Sequence, residues 1–189
     1  MDHLRVLLFS GLLLHKMVWE VLKRRGPASA PWSEAPGLVK QSIRFGKLLA
    51  LALLVLQTLF LRVLPISEKS SRLRMIGTAI YLVGLSSAIL GRIQLGRNWV
   101  DIEEGQVLAK QDLVSEGIYG YIRHPIYAGD MLLLLGLELA LNSWLVLLMV
   151  VPIAIFVKQA LSEEGILAAA FANYDEYAKR TKRFIPFVI

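Results

Sequence analysis

Two polar segments hold the side chains that could do chemistry, and a long apolar run separates them. The first reads Leu113-Val114-Ser115-Glu116-Gly117-Ile118-Tyr119-Gly120-Tyr121-Ile122-Arg123-His124-Pro125-Ile126-Tyr127-Ala128-Gly129. Arg123, His124, Tyr119 and Tyr127 offer hydrogen-bond donors and ring faces. Pro125 suits the first turn of a helix and keeps His124 out of helical geometry, so His124 stands at the edge of a helix start, where anions are favoured. The second segment runs from Glu163-Glu164 to Tyr177. At helical spacing Glu163, Leu167, Ala170, Tyr174 and Tyr177 share a face, which aims a carboxylate and two phenols at one pocket. Adjacent acids directly after an apolar helix sit badly in lipid, and a cationic ligand would give them a partner. Taken singly these residues also have ordinary roles, as interface anchors or solvated acids.

Other chemistries find less support. His3, His15 and His124 are scattered without helical ligand spacing, so no histidine metal site is expected, which leaves carboxylates alone as the alternative ligands. With no cysteine, disulfides, thiol catalysis and iron–sulfur clusters are excluded. There is no Gly-x-Ser-x-Gly elbow, P-loop or dinucleotide fingerprint.

The elements that must position the two segments are membrane helices. Of 189 residues, 56% are hydrophobic and 19% charged, with a mean hydropathy of +0.55, too apolar to cover a soluble surface. Apolar runs predict spans at Leu4–Leu22, Leu48–Ile66 and Met75–Gly91. In the third, Gly77, Gly84, Ser86, Ser87, Ala88 and Gly91 would let a neighbouring helix approach closely. Met131–Val157 is too long for one span and too short for two, and Asn142-Ser143 gives a turn and cap signal near its middle. A two-helix hairpin follows, bringing both polar segments to its mouth; a single tilted crossing would put them on opposite faces. The fold class is thus an all-α polytopic transmembrane bundle of three full spans plus the hairpin, five membrane helices in all, with a site at the mouth of the hairpin. Residues 1–91 form the scaffold. Residues 92–189 form the region that holds both polar segments and any catalytic site, with an aqueous loop from Arg92 to Gly129, the hairpin at 131–157 and an amphipathic helix from about Lys158 to Arg180.

A net charge of +6 and a pI near 9.7 fit membrane anchoring better than nucleic acid. Lys23, Arg24, Arg25, Lys40, Arg44 and Lys47 place the first loop in the cytoplasm, and Lys158, Lys179, Arg180, Lys182 and Arg183 agree for the tail. Arg62, Lys69, Arg72 and Arg74 dissent, since their loop then faces outside. Gly26–Gly37, with three prolines, reads as an irregular loop.

The whole string resembles the isoprenylcysteine carboxyl methyltransferase family: Leu113-Val114-x-x-Gly117-x-Tyr119, Arg123-His124-Pro125-x-Tyr127-x-Gly129, an apolar hairpin, then Glu163-Glu164-x-x-Leu167-x-x-x-Phe171-x-x-Tyr174-x-x-Tyr177 and Ile185-Pro186. The match covers roughly Leu95 to the C-terminus. The resemblance implies an integral membrane enzyme using S-adenosylmethionine, with S-adenosylhomocysteine as product and a cytosolic cofactor pocket built from the C-terminal half. It implies cofactor contacts from Gln111, Asp112, Leu113, Val114, Tyr119, His124, Pro125, Tyr127, Glu163 and Glu164. Arg123 and Gln159 are the substrate-side candidates, and no catalytic acid or base is assigned, because methyl transfer from a sulfonium proceeds by positioning. The implied acceptor is a lipophilic small molecule or a prenylated cysteine carboxylate that enters from the bilayer, with membrane lipids as further partners, no nucleic acid and a monomeric state. Location follows as a multi-pass membrane protein, in the plasma membrane of a prokaryote or the endoplasmic reticulum of a eukaryote.

Two positions depart from the pattern. Gln159 stands where eukaryotic relatives place a substrate-binding arginine, and Ala172 replaces a glycine. A phospholipid N-methyltransferase, a sterol-reductase-like enzyme and a non-enzymatic scaffold are the competing readings.

Overall fold

In the computed structural model the described residues, 2–25, 38–68, 70–98 and 112–186, form helices and turns with no strand among them. The helices are α1 (His3–Arg25), α2 (Leu38–Phe60), α3 (Ser71–Leu95), α4 (Pro125–Ala140), α5 (Val150–Ala170) and α6 (Tyr174–Arg180). Among the described residues, α3 and the continuous helical stretch Trp144–Ala170 are long and apolar enough to cross a bilayer, and Leu48–Phe60 adds a shorter apolar helix. Phe60, Met75 and Leu147 are 69%, 68% and 64% exposed, an arrangement that suits lipid and not water.

The centre of the fold is the antiparallel contact of α3 with α4. A Cβ on Gly77 would lie 2.3 Å from the Ala140 nitrogen, one on Gly84 2.4 Å from the Leu133 nitrogen, and one on Gly91 3.1 Å from Ile126. Gly129 and Gly136 answer from α4, against Ala88 and Tyr81. Each step of seven residues along α3 is matched by seven back along α4, so two backbones touch along a straight seam. Tyr81, Leu85, Leu133, Leu137 and Ala140 close this core with Leu8 of α1. Since α3 runs unbroken past Gly91, the expected division between residues 91 and 92 lies inside a helix.

Polar groups hold the far end. Arg5 donates to the carbonyls of Gln57 (2.9 Å), Thr58 (2.8 Å) and Leu61 (2.8 Å), where α2 ends and its last carbonyls run out of helical partners. Gln57 in turn donates to the buried Glu138 at 2.8 Å.

Three expected boundaries change. The second span ends at Phe60 and not Ile66, because Leu64 takes a positive φ of 44° and residues 64–67 pair with the hairpin turn. Asn142 is the reason: its side chain accepts from Ser67 N–H (3.2 Å) and donates to Ser67 C=O (2.7 Å). The hairpin starts at Pro125, six residues before Met131, which shortens the loop expected from Arg92 to Gly129 at both ends. The helix expected over Lys158–Arg180 is two pieces. α5 continues to Ala170, extended backbone at Phe171 stops it, and α6 begins at Tyr174. The turn at Asn142-Ser143 stands as expected, with Ser143 Oγ accepting from Leu145 N–H at 3.1 Å.

The seam makes a prediction. Gly136→Ala puts a Cβ 2.2 Å from the Tyr81 nitrogen and should cost about 1–3 kcal/mol. Gly46→Ala, which meets nothing within 4 Å, should be neutral or stabilise by up to about 1 kcal/mol. Thermal unfolding in detergent measures both.

Candidate active site

The hairpin returns α5 alongside the start of α4, and a third piece of chain completes the site. Backbone N–H groups of Arg123 and His124 donate to Lys182 C=O (2.7 Å) and Arg183 C=O (3.1 Å), and Lys182 N–H donates to Tyr121 C=O (3.0 Å). This short parallel pairing lays residues 182–184 across the mouth of the hairpin.

Glu164 ties the three pieces together. Its Oε1 accepts from Arg123 Nε (3.0 Å) and Arg183 Nε (2.9 Å), and its Oε2 accepts from Arg183 Nη2 (2.7 Å), a two-pronged carboxylate–guanidinium pair. His124 Nε2 lies 3.2 Å from Oε1. Arg123 also donates to Ala178 C=O (3.0 Å) and Thr181 C=O (2.6 Å), which satisfies the end of α6. Arg183 is held in its charged form by Glu164.

Glu163 has a different environment. Its Oε1 accepts a hydrogen bond from Tyr127 Oη, and its Oε2 is 3.7 Å from His124 Nδ1. Its side chain is 36% exposed against 15% for Glu164, so Glu163 is the carboxylate open to a ligand. A row of rings borders it: Phe184 to His124 at 5.8 Å, His124 to Tyr127 at 5.7 Å, and Tyr127 to Phe156 at 5.7 Å between centroids, the last two stacked. Ring faces beside a carboxylate attract a cation.

Three phenols pack behind. Tyr119 Oη donates to Gly91 C=O (3.3 Å), and Tyr177 Oη donates to Tyr119 C=O (2.9 Å). Burial raises both above the ordinary tyrosine range, and it pushes Tyr174 up to about 12, so all three remain neutral at physiological pH. Gln94 steadies the turn before Tyr119: its Oε1 accepts from Ile118 N–H at 2.8 Å, close over Gly117, whose φ of 61° suits glycine.

Of the residues expected from sequence, His124, Pro125, Tyr127, Glu163, Glu164 and Arg123 converge here, with Tyr119 beneath. Asp112 is exposed, and its N–H is held by Asn98 at 2.9 Å; Leu113 and Val114 are half-buried. Gln111 lies outside the described residues, as does the Gly26–Gly37 loop. Gln159 is half-buried one turn before Glu163 on α5. Tyr174 and Tyr177 do not continue the Glu163 face of one helix, because the chain turns at Phe171–Asn173 and α6 carries them under the site. Ala172 needs no glycine, since its φ is not positive. Arg183, which the charge pattern marks only as part of a basic tail, and Phe184, which that pattern passes over, are both placed at the site; their position just before Ile185-Pro186 is the available signal.

The fold is a helical membrane bundle of the kind a solved intramembrane methyltransferase adopts. The solved structure of the eukaryotic intramembrane Ras methyltransferase, isoprenylcysteine carboxyl methyltransferase, superposes with a TM-score of 0.56 at 19% identity, over 82% of this chain and 55% of that one. The chain belongs to the phospholipid methyltransferase family, whose model matches residues 73–174, more than half of it. The protein-S-isoprenylcysteine O-methyltransferase of Schizosaccharomyces pombe is 29% identical over 51% of this chain and 42% of its own length. The cobalt-zinc-cadmium resistance protein CzcN of Cupriavidus metallidurans is 32% identical over 56% of this chain and 47% of its own. The matches thus span about half the length of these relatives.

The two acids should respond differently to substitution. Glu164→Ala strands Arg123 and Arg183 and should cost about 2–3 kcal/mol, less than a fully buried pair because Arg183 remains a third exposed. Glu163→Gln, which keeps a partner for Tyr127, should cost under about 1 kcal/mol. Thermal unfolding of the two variants in the same detergent tests the contrast.

Proposed function

We propose that this chain is an integral membrane methyltransferase that moves a methyl group from S-adenosylmethionine to a lipophilic acceptor, with a prenylated cysteine carboxylate as the foremost acceptor. The observation that carries the donor half is Glu163, open to ligand and bordered by stacked rings. These groups fit S-adenosylmethionine: a sulfonium and an ammonium suit a carboxylate and ring faces, and a planar base suits the same rings. Family membership and the name of the Schizosaccharomyces pombe relative support the reaction class and the acceptor.

The bound cofactor supplies an activated methyl group, and the residues of the chain supply position. Glu163, fixed by Tyr127 and His124, would hold the cationic end. Tyr119, His124, Pro125 and Tyr127 would line the rest, and the 182–184 segment would exclude water. Methyl carbon, sulfur and nucleophile need only be held in line at about 3–3.5 Å. A C-terminal carboxylate, with a reference pKa of about 3.3–3.7, is ionised at neutral pH and attacks without a base. Gln159, lacking charge, would meet the acceptor through its amide.

The membrane reading has five helices crossing or dipping into the bilayer, the polar site at the cytosolic face, and the acceptor entering sideways from lipid. With no native cysteine, single cysteines report orientation cleanly. Those at Glu116 and Lys182 should label from the cytosolic face, and one at Arg72 from the opposite face. A cysteine at 182 that labels with 72 overturns the hairpin assignment.

For binding, titration of purified protein with S-adenosylhomocysteine should saturate in the wild type. Glu163→Ala should weaken it about tenfold or more, the loss of one charged contact. Folded wild type that binds neither S-adenosylhomocysteine nor S-adenosylmethionine overturns the methyltransferase reading.

A further inference from the structure

A second polar cluster lies one helical turn from the site and takes no part in methyl positioning. His15 of α1 places Nε2 3.0 Å from Asp130 Oδ1 of α4, and the Trp19 indole stacks on the imidazole with centroids 4.0 Å apart and an interplanar angle of 21°. The two side chains are 23% and 21% exposed, covered but open at an edge. Asp130 follows Tyr127 by three residues on α4, so the face that gives its phenol to Glu163 on one side gives its carboxylate to His15 on the other. α1 runs with α3, through Asp2–Arg74 and Leu8–Tyr81, and α4 runs against both, so Trp19 lies nearer the mouth of the hairpin than His15.

A histidine with one ring nitrogen on a carboxylate and the other directed elsewhere, its plane locked by a stacked ring, is the oriented-base arrangement of acid–base catalysis. A carboxylate acceptor would leave it idle. We propose that the site also methylates acceptors whose attacking atom bears a proton, lipophilic phenols being the class that the rings of Trp19, on His15, and of Tyr127 and Phe156, beside Glu163, fit, and that His15 oriented by Asp130 takes that proton. The inference rests on the methyl-transfer reading above. In the step, a lone pair of the phenol oxygen forms the bond to the sulfonium methyl as the carbon–sulfur pair returns to sulfur. The phenol proton passes to His15 Nδ1, and the imidazolium, paired with Asp130, releases it to water. Asp130 from α4 and Trp19 from α1 face the His15 ring; along α1, Lys16 is exposed and Glu20 accepts from Arg24 at 3.1 Å.

The test uses full-length protein in nanodiscs, labelled S-adenosylmethionine, and two probes, nonylphenol and N-acetyl-S-farnesylcysteine. Wild type should methylate both. His15→Gln, and the near-isosteric Asp130→Asn, should lower transfer to nonylphenol about a hundredfold while changing transfer to the farnesylcysteine less than about twofold. The variants' residual phenol rate should climb about tenfold per pH unit towards the phenol's own ionisation near pH 10, where the wild-type profile is flatter. Binding of nonylphenol to the S-adenosylhomocysteine complex, followed calorimetrically, should weaken about fivefold, the equivalent of one hydrogen bond. A wild type inactive on nonylphenol, or variants that lose both activities equally or neither, overturns the proposal. Loss of S-adenosylhomocysteine binding by wild type would instead overturn the methyltransferase reading.

Discussion

The site depends on one carboxylate whose two oxygens are engaged by the protein's own side chains. Glu164, on α5, faces the Arg123 guanidinium and the His124 imidazole from the start of α4 and the Arg183 guanidinium from the returning tail, and its two oxygens satisfy donors from all three groups. Remove it, and Arg123 and Arg183 repel across the mouth of the hairpin while the 182–184 segment loses its side-chain tether. Because Glu164 is committed to the arginines, the adjacent Glu163 keeps its outward edge. Two neighbouring acids on one helix turn thereby divide into a structural anchor and a candidate binding group, a division set by which side of α5 meets the returning tail.

That arrangement in turn needs α4 at a fixed depth. The glycine seam between α3 and α4 supplies it, since backbones in contact cannot slide without lifting a side chain over a neighbour. Gly91 against Pro125 and Ile126 sets the level at which α4 begins, and Ser87 Oγ donates to Pro125 C=O at 3.1 Å. His124 and Tyr127 are therefore held by α3 as much as by their own loop. At the other end Arg5, Gln57, Glu138 and Asn142 consume the polar groups of the helix ends and turn, as the low dielectric of a bilayer requires.

The bundle leaves one face of α4 between α1 and α5. Tyr127 reaches to α5 and Asp130 to α1 from neighbouring turns of that face. A donor site at the polar mouth and an acceptor approach along this face would meet at Tyr127. Soluble methyltransferases have no need of such an approach, because their acceptors arrive through water.

Much of this was legible in the residues themselves. Apolar composition required lipid-facing helices, Asn142-Ser143 marked the hairpin turn, and the string from Arg123 to Tyr127 with Glu163-Glu164 marked the site, since each of these is a local property of type and spacing. The small residues of α3 announced close packing, but their partners Gly129 and Gly136 emerged only when α4 was in place. Sequence spacing put Tyr174 and Tyr177 on the face of Glu163; the break at Phe171 moved them beneath it. Nothing local distinguishes Glu163 from Glu164, reveals Arg183 and Phe184 as site residues, or joins His15 to Asp130 across more than a hundred positions. Such pairings follow from how helices are stacked, and helix stacking is set by the whole core at once: periodicity shows which face a helix buries, while only packing decides what it is buried against.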